Sequence, residues 1–312
     1  MTFSIVARCA RTGALGVAVS TAVPAVGAMC MYLRTGVGAV STQSWVNPYL
    51  ALDALDLLDQ GVSAEHALAR VLDGDAAADL RQLGLVDRNG QSACWTGSQC
   101  TGWAGQRSGT SCTIQGNMLV GAGTLDAMLT AYEASDELAL EERLMRALEA
   151  GQAAGGDKRG RQSAALKVVR NEAYAHLDLR VDEHHEPVAE LRRVFEVAQR
   201  QFVPFVEGMP TRGDPGRTPP AAVTELLLTS PQSRPGATGP LDADMRVADM
   251  RVLGRWLGVE FAEQRVAHNL ATYAPILAEI SKLRELDLSE VHPVVVFDPA
   301  RAYAGPSTTG EA

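Results

Sequence analysis

Short strand-like runs crowd the front of this chain, helical stretches follow, and strand-like runs return before residue 200. That order constrains the fold more than any single motif. Phe3 to Arg8 alternates in a β-compatible pattern, and Arg11-Thr12-Gly13 makes a turn into the apolar run Leu15 to Ser20. Gly27 to Met31 and Val37 to Thr42 read as two more strands. Pro48 to Gln60 reads as a helix stopped by Gly61, and Ser63 caps another that runs to Leu72. Gln82 to Val86 and Ser92 to Trp95 flank Asp87-Arg88-Asn89-Gly90, a hairpin signal. Thr113 to Met118 is a strand, and helices are expected over Thr124 to Ala134 and Glu137 to Ala150. Ala164 to Val169 and Leu177 to Val181 are strands, and Pro187 opens a helix to Gln201. Consecutive strands without a helical crossover must pair antiparallel. The fold class is therefore α+β, with antiparallel sheets and segregated helical layers.

A second constraint is a break. Residues 209–241 hold seven of the fifteen prolines, with Gly, Ser and Thr, and read as an extended linker in which Val223 to Leu228 touches a surface. The expected organisation is one domain over 1–208, the linker over 209–241, a small helical module over 242–303 and a disordered tail over 304–312. The module holds two amphipathic helices. One carries Met245, Ala248, Val252, Leu253, Trp256 and Leu257; the other runs from Val266 to Leu286, kinked by Pro275. An apolar strip around Val294 to Phe297 follows, of the kind that needs a partner surface.

Charge narrows the function classes. The formal net charge is −9, which disfavours nucleic acid as a partner. No apolar stretch approaches the ~18 residues of a membrane span, so a cytoplasmic protein is expected. Arginine replaces lysine almost everywhere; the lysines are Lys158, Lys167 and Lys282. The five cysteines make no zinc pattern, and no metal or other cofactor is expected. Asp182-Glu183-His184-His185-Glu186 looks metal-like, but acidic residues there also suit the start of the helix at Pro187.

The residue with the most chemistry is Thr2. A small second residue lets the initiator methionine be removed, and the mature chain is then expected to begin at Thr2. Its hydroxyl and free α-amine would form a nucleophile and base on one residue, the amine titrating near pH ~7.7–8.0. Small second residues are also common without any such role. Arg34, just before the fourth strand, is a candidate for a fixed cation beside Thr2, or equally an ordinary strand-end charge.

MTFSIVAR, GALGVAVSTAVPAVGA, LRTGVGAVSTQSWVNP, QGNML, GQAAGGDKRGRQSAAL and DLRVDEHHEPVAELRR together resemble the family known as domain of unknown function 1028. That family is related to the N-terminal nucleophile hydrolases. The resemblance implies a four-layer αββα sandwich, with catalytic Thr2, Arg34 and Asn117. It implies substrate contacts from Gln43, Asn47, Asp157 and Gln162. Cys9 stands where the family usually has an acidic residue. GVEFAEQRVAHNLATYAPILAEI, ELDLSEVHP and VVVFDP resemble the small subunit of carboxybiuret hydrolase and, more distantly, the C component of the tRNA-dependent amidotransferases. That implies an amidase-signature enzyme as partner through residues 242–303.

Two functions are expected from these readings. In one, the protein is an N-terminal-threonine amidohydrolase of a small amide or ureide, tethered to the amidase, with a homo-oligomer also open to it. In the other, it is a non-catalytic accessory or assembly subunit of an amidase complex.

Overall fold

A computed structural model describes residues 2–231 together with Arg234. The expected helical module over 242–303, the tail over 304–312 and the end of the linker lie outside the described residues. No helix among the described residues is long and apolar enough to cross a membrane.

Ten strands build two sheets. In chain order they are β1 (Thr2–Arg8), β2 (Leu15–Thr21), β3 (Met31–Arg34), β4 (Gly38–Ser44), β5 (Arg81–Asp87), β6 (Ser92–Thr96), β7 (Trp103–Gly109), β8 (Cys112–Leu119), β9 (Ser163–Val169) and β10 (Ala175–Val181). The first sheet has the order β10-β9-β2-β1-β8-β7 and the second β3-β4-β5-β6. Every neighbouring pair is antiparallel. The helices are α1 (Val26–Met29), α2 (Pro48–Asp59), α3 (Ala64–Asp73), α4 (Gly123–Glu133), α5 (Leu140–Ala153), α6 (Pro187–Gln201), α7 (Val203–Gly208) and α8 (Ala221–Leu228). Helices α4, α5 and α6 pack on the first sheet, and α2 and α3 on the second.

Period-two alternation in β1 sorts its side chains between two interiors. Phe3, Ile5 and Ala7 join Leu144, Met145 and Leu148 of α5 in one apolar cluster. Val6 instead faces the second sheet, with Val17, Val19, Ala39 and Val86. On the far side of that sheet, Val40, Leu83 and Leu85 meet Leu50, Leu55 and Leu58 of α2 and Leu68 of α3. Both α2 and α3 start where their caps dictate. The Asn47 side chain accepts from the Tyr49 N–H with Pro48 following, and the Ser63 hydroxyl accepts from the His66 N–H.

The space between the sheets is apolar at one end and polar at the other. At the polar end the first sheet presents Thr2, Ser4, Thr113, Gln115 and Asn117, and the second presents Ser41, Gln43 and Gln82, all buried. Gln82 Nε2 donates to the Gly116 carbonyl (2.8 Å), the Thr96 hydroxyl (2.9 Å) and the Gly105 carbonyl (3.2 Å). Its Oε1 accepts from Gln43 Nε2 (2.8 Å) and Asn117 Nδ2 (2.9 Å). Ser4 donates to Gln43 Oε1 (2.7 Å) and receives Gln115 Nε2 (2.6 Å). Buried amides are tolerated only when satisfied, and these are.

Two expectations need correction, and one strand carries no expectation at all. Residues 27–31 do not form a strand. Ala25 adopts φ 57°, the Val26 N–H is taken by the Ser163 hydroxyl, and the chain coils into α1 before β3 begins at Met31. The segment 209–230 is not an extended linker. Residues 221–228 form α8 with Val223 buried, and the Tyr174 hydroxyl ties down the Pro210 carbonyl. Strand β7 has no signal in the sequence, because WAGQRSG lacks apolar alternation; it forms as an edge strand on β8.

Gly84 faces Gln115 across the sheets, and a Cβ there would lie 2.0 Å from Gln115 Oε1. Gln115 is fully buried and bonded, so it cannot swing away. Gly84→Ala is expected to destabilise the protein by about 2 kcal/mol in urea unfolding. Gln82→Leu takes the acceptor from Gln43 Nε2 and Asn117 Nδ2 and the amide donor from the Gly116 carbonyl. It is expected to cost about 3 kcal/mol, read as a melting temperature lower by about 6–12 °C.

Candidate functional site

Thr2 begins β1, and its neighbours on both sides are set by register. It pairs with Thr21 of β2 and with Asn117 of β8, and Thr21 pairs in turn with Ser163 of β9. Ser163, Thr21, Thr2 and Asn117 thus make one polar row across the end of the first sheet, facing the second. The hydroxyl oxygens of Thr2 and Thr21 are 3.2 Å apart. The Thr2 carbonyl accepts from Gln43 Nε2 at 3.4 Å. Thr2 is 6% exposed.

The orientation of Asn117 follows from fixed acceptors. Backbone carbonyls of Gly116 and Gly105 can only accept, so the nitrogen of Gln82 must face them. Its oxygen therefore faces Asn117, which must present nitrogen to it. Asn117 Oδ1 is left as the acceptor on the side away from Gln82.

A glycine-rich loop closes the same end. Leu119 bridges to Asp157, and the Lys158 N–H reaches the Met118 carbonyl at 3.3 Å. Asp157 is buried and accepts from the Ala22 N–H (3.1 Å) and the Arg159 N–H (2.7 Å). The Gln162 N–H bonds the Thr21 carbonyl at 2.8 Å. Cys30 lies buried nearby, its carbonyl accepting from the Thr42 N–H, and burial pushes its thiol up to about 12.

Three backbone positions at this end are left-handed without being glycine. Ser44 (φ 68°) follows Gln43, Met118 (φ 52°) follows Asn117, and Ala25 (φ 57°) ends the turn after Thr21. Such residues cost on the order of 1–3 kcal/mol each, and they cluster at functional sites. The remaining one, Ser111 (φ 54°), sits in the tight turn between β7 and β8.

The fold therefore brings together Thr2, Asn117, Gln43, Asp157 and Gln162. It does not bring Arg34 there. Arg34 pairs with Gly38 in register, about 17 Å along β4 from Gln43. Its guanidinium is held by Asp56 (2.8 Å) and Asp59 (3.6 Å) of α2. The loop that closes the Thr2 end carries Lys158 and Arg159, and the Arg159 guanidinium pairs with Asp157 at 3.5 Å. Gln43 is fully buried, its amide committed to Ser4, Gln82 and the Thr2 carbonyl. Asn47 caps α2 and lines a different cavity, with Asp53, Arg70 and Asp75. Thr21 and Gln82 also belong to the site; Thr21 stands within GALGVAVSTAVPAVGA, and Gln82 stands in none of the quoted motifs. A glutamine directly before the apolar run Leu83 to Val86 is the available signal for the second.

Among the described residues, no group of three or more His, Cys, Asp and Glu could hold a metal ion. In the stretch 182–186, Asp182 bonds Arg180, Glu186 bonds Arg161, and His184 Nδ1 accepts the Glu186 N–H. Cys9 stands in the turn between β1 and β2, its N–H bonding the Ala14 carbonyl at 2.8 Å. Burial opposes its ionisation, but the Thr12 hydroxyl and the N–H groups of Thr12 and Arg11 bond the sulfur and hold its pKa below the usual thiol value.

No curated protein matches the chain. The crystal structure of a Silicibacter pomeroyi protein assigned to family DUF1028 matches with a TM-score of 0.65 and 31% identity, covering 69% of this chain and 94% of that one. Anbu, an ancestral beta-subunit, from Yersinia bercovieri matches at a TM-score of 0.33 and 10% identity, over 63% of this chain and 94% of its own. A Gly-1 mutant of Anbu from Hyphomicrobium sp. strain MC1 gives 0.34 and 13%, over 65% and 96%. The profile described as "Family of unknown function (DUF1028)" matches residues 2–191. The chain belongs to the DUF1028 family.

Proposed function

We propose that the protein is an N-terminal-threonine amidohydrolase acting on a small amide or ureide, built on an αββα sandwich of the N-terminal nucleophile hydrolase type. The observation that carries this reading is the setting of Thr2: a hydroxyl at a strand end, 3.2 Å from the Thr21 hydroxyl and paired in register with Asn117. Three strained residues surround it.

With the preceding residue removed, the Thr2 amine takes the proton of its own hydroxyl. The alkoxide attacks the substrate carbonyl, and the departing nitrogen carries the proton away. Water then releases the acyl group from the Thr2 ester. Asn117 Oδ1 accepts from the amine and fixes its direction. Trp45 and Val120 follow β4 and β8 at this same end, 69% and 56% exposed, and give an incoming amide an apolar rim.

A second reading is an accessory subunit of an amidase-signature enzyme. It rests on the sequence of residues 243–301, which resembles such subunits, and the two readings can hold together.

Intact mass is the first check: the purified protein is expected to lack Met1. Against a panel of small amides and ureides, Thr2→Ala should lower turnover by more than about a thousandfold, while Thr2→Ser keeps measurable activity. Equal rates for Thr2→Ala and the parent would overturn the amidohydrolase reading. Deleting Ala243 to Ala312 is expected to abolish co-purification with an amidase without changing the activity of the remaining protein. Retained co-purification would overturn the second reading.

A further inference from the structure

A cavity of about 490 Å³ is walled by residues of β10, α6, α7 and α8. Each helix supplies the apolar side chains that the core leaves over. Helix α6 commits Val188, Leu191 and Phe195 to the core beneath it, so Val194 and Val197 fall on its flank and stay half-buried. Phe202, at the joint between α6 and α7, is 40% exposed, and its ring lies 6.3 Å from that of Phe205, also in the wall. Helix α8 is anchored by buried Val223 and leaves Leu226 and Leu227 on the cavity, Leu227 53% exposed. Apolar surface gathered in one concavity of this size suits a small ligand, whose sites run to about 300–1,000 Å³.

The polar members of the wall are Asp178, Gln201 and Arg234. Asp178 is neutralised by Lys167 Nζ at 2.8 Å. Arg234 has no such partner among the described residues. Its Nε donates to the Thr229 carbonyl at 3.0 Å and its Nη1 to Gln201 Oε1 at 3.4 Å. Both acceptors are neutral, so they fix the guanidinium in place without cancelling its charge. Nη2 donates to no described residue, and it is not sealed from solvent. The cavity thus combines an apolar wall with one uncompensated cation, and a guanidinium offers the paired donors that fit a carboxylate.

We propose that this cavity binds an aliphatic carboxylate, a fatty acid of medium chain length, its carboxylate on Arg234 and its chain against Phe202 and Leu227. The site shares no residue with the Thr2 end and does not depend on the hydrolase reading.

Calorimetric titration of the full chain with octanoate, octylamine and acetate tests it. Saturable binding of octanoate at one site per chain is expected, with octylamine at least tenfold weaker and no binding of acetate. Arg234→Gln should weaken octanoate about tenfold. Leu227→Glu, at a half-exposed position that the core does not need, should weaken it similarly by setting a like charge beside the ligand. Near-UV circular dichroism identifies a variant that has lost its packing; if Arg234→Gln does so, Leu227→Glu decides. Absence of saturation with octanoate, as when another part of the chain or a second copy fills the cavity, overturns the proposal. Equal affinity for octanoate and octylamine, or undiminished octanoate affinity in the deciding variant, also overturns it.

Discussion

The two sheets are locked together at one end by a hydrogen-bond chain with a direction. It starts on the Gly116 and Gly105 carbonyls, which accept from Gln82, and passes through Gln82 Oε1 to Gln43 and Asn117. From Gln43 it continues to Ser4 and Gln115. Each amide can take only one orientation once the backbone carbonyls are fixed. Apolar packing at Val6, Ala39 and Val86 tells the sheets only to be near each other. The amide chain tells them in which register, because a slip of one strand would leave several buried donors unpaired at once.

This division of labour explains how a polar row survives at the Thr2 end. The strands leave their regular conformation immediately past it, at Ser44, Met118 and Ala25. Left-handed backbone at non-glycine positions persists only where its surroundings over-determine it. Here the surroundings are the residues just before each bend: Gln43 and Asn117 are held by Gln82, and Thr21 is paired with Thr2 and Ser163. The strain is borne by the same network that aims Asn117. A substitution that loosened the network would therefore disturb the geometry around Thr2 before it unfolded the sheets.

Much of this was legible in the amino-acid order. Alternation in Phe3 to Arg8 put a strand at Thr2, Asn89-Gly90 marked a hairpin, and Ser63 and Pro187 marked helix starts. What remained hidden was pairing between distant segments. Arg34 is a candidate cation for Thr2 by sequence, but antiparallel pairing places it beside Gly38, at the end of β4 away from Gln43, where Asp56 and Asp59 receive it. Gln43 and Asn47 belong to one polar stretch, yet Gln43 faces the inter-sheet network and Asn47 caps α2. Gln82 stands far from Asn117 in sequence, so no local pattern could join them. Strand β7 took its conformation from β8, since its own residues have little preference for it.

Strand β1 carries two chemistries because its two ends meet different partners. At Thr2 it stands beside hydroxyls and amides, which orient a group without charging it. At Arg8 it meets Tyr132 and Arg143, where the Arg143 guanidinium lies 3.9 Å over the Tyr132 ring and pairs with Asp136. Between them, Phe3, Ile5 and Ala7 on one face and Val6 on the other are sealed in apolar clusters with no exposed surface. A disturbance at the Arg8 end would reach Thr2 by moving β1 as a unit against β2 and β8. Seven register pairs to β2 and six to β8 oppose that motion. The two ends are therefore expected to respond independently to substitution.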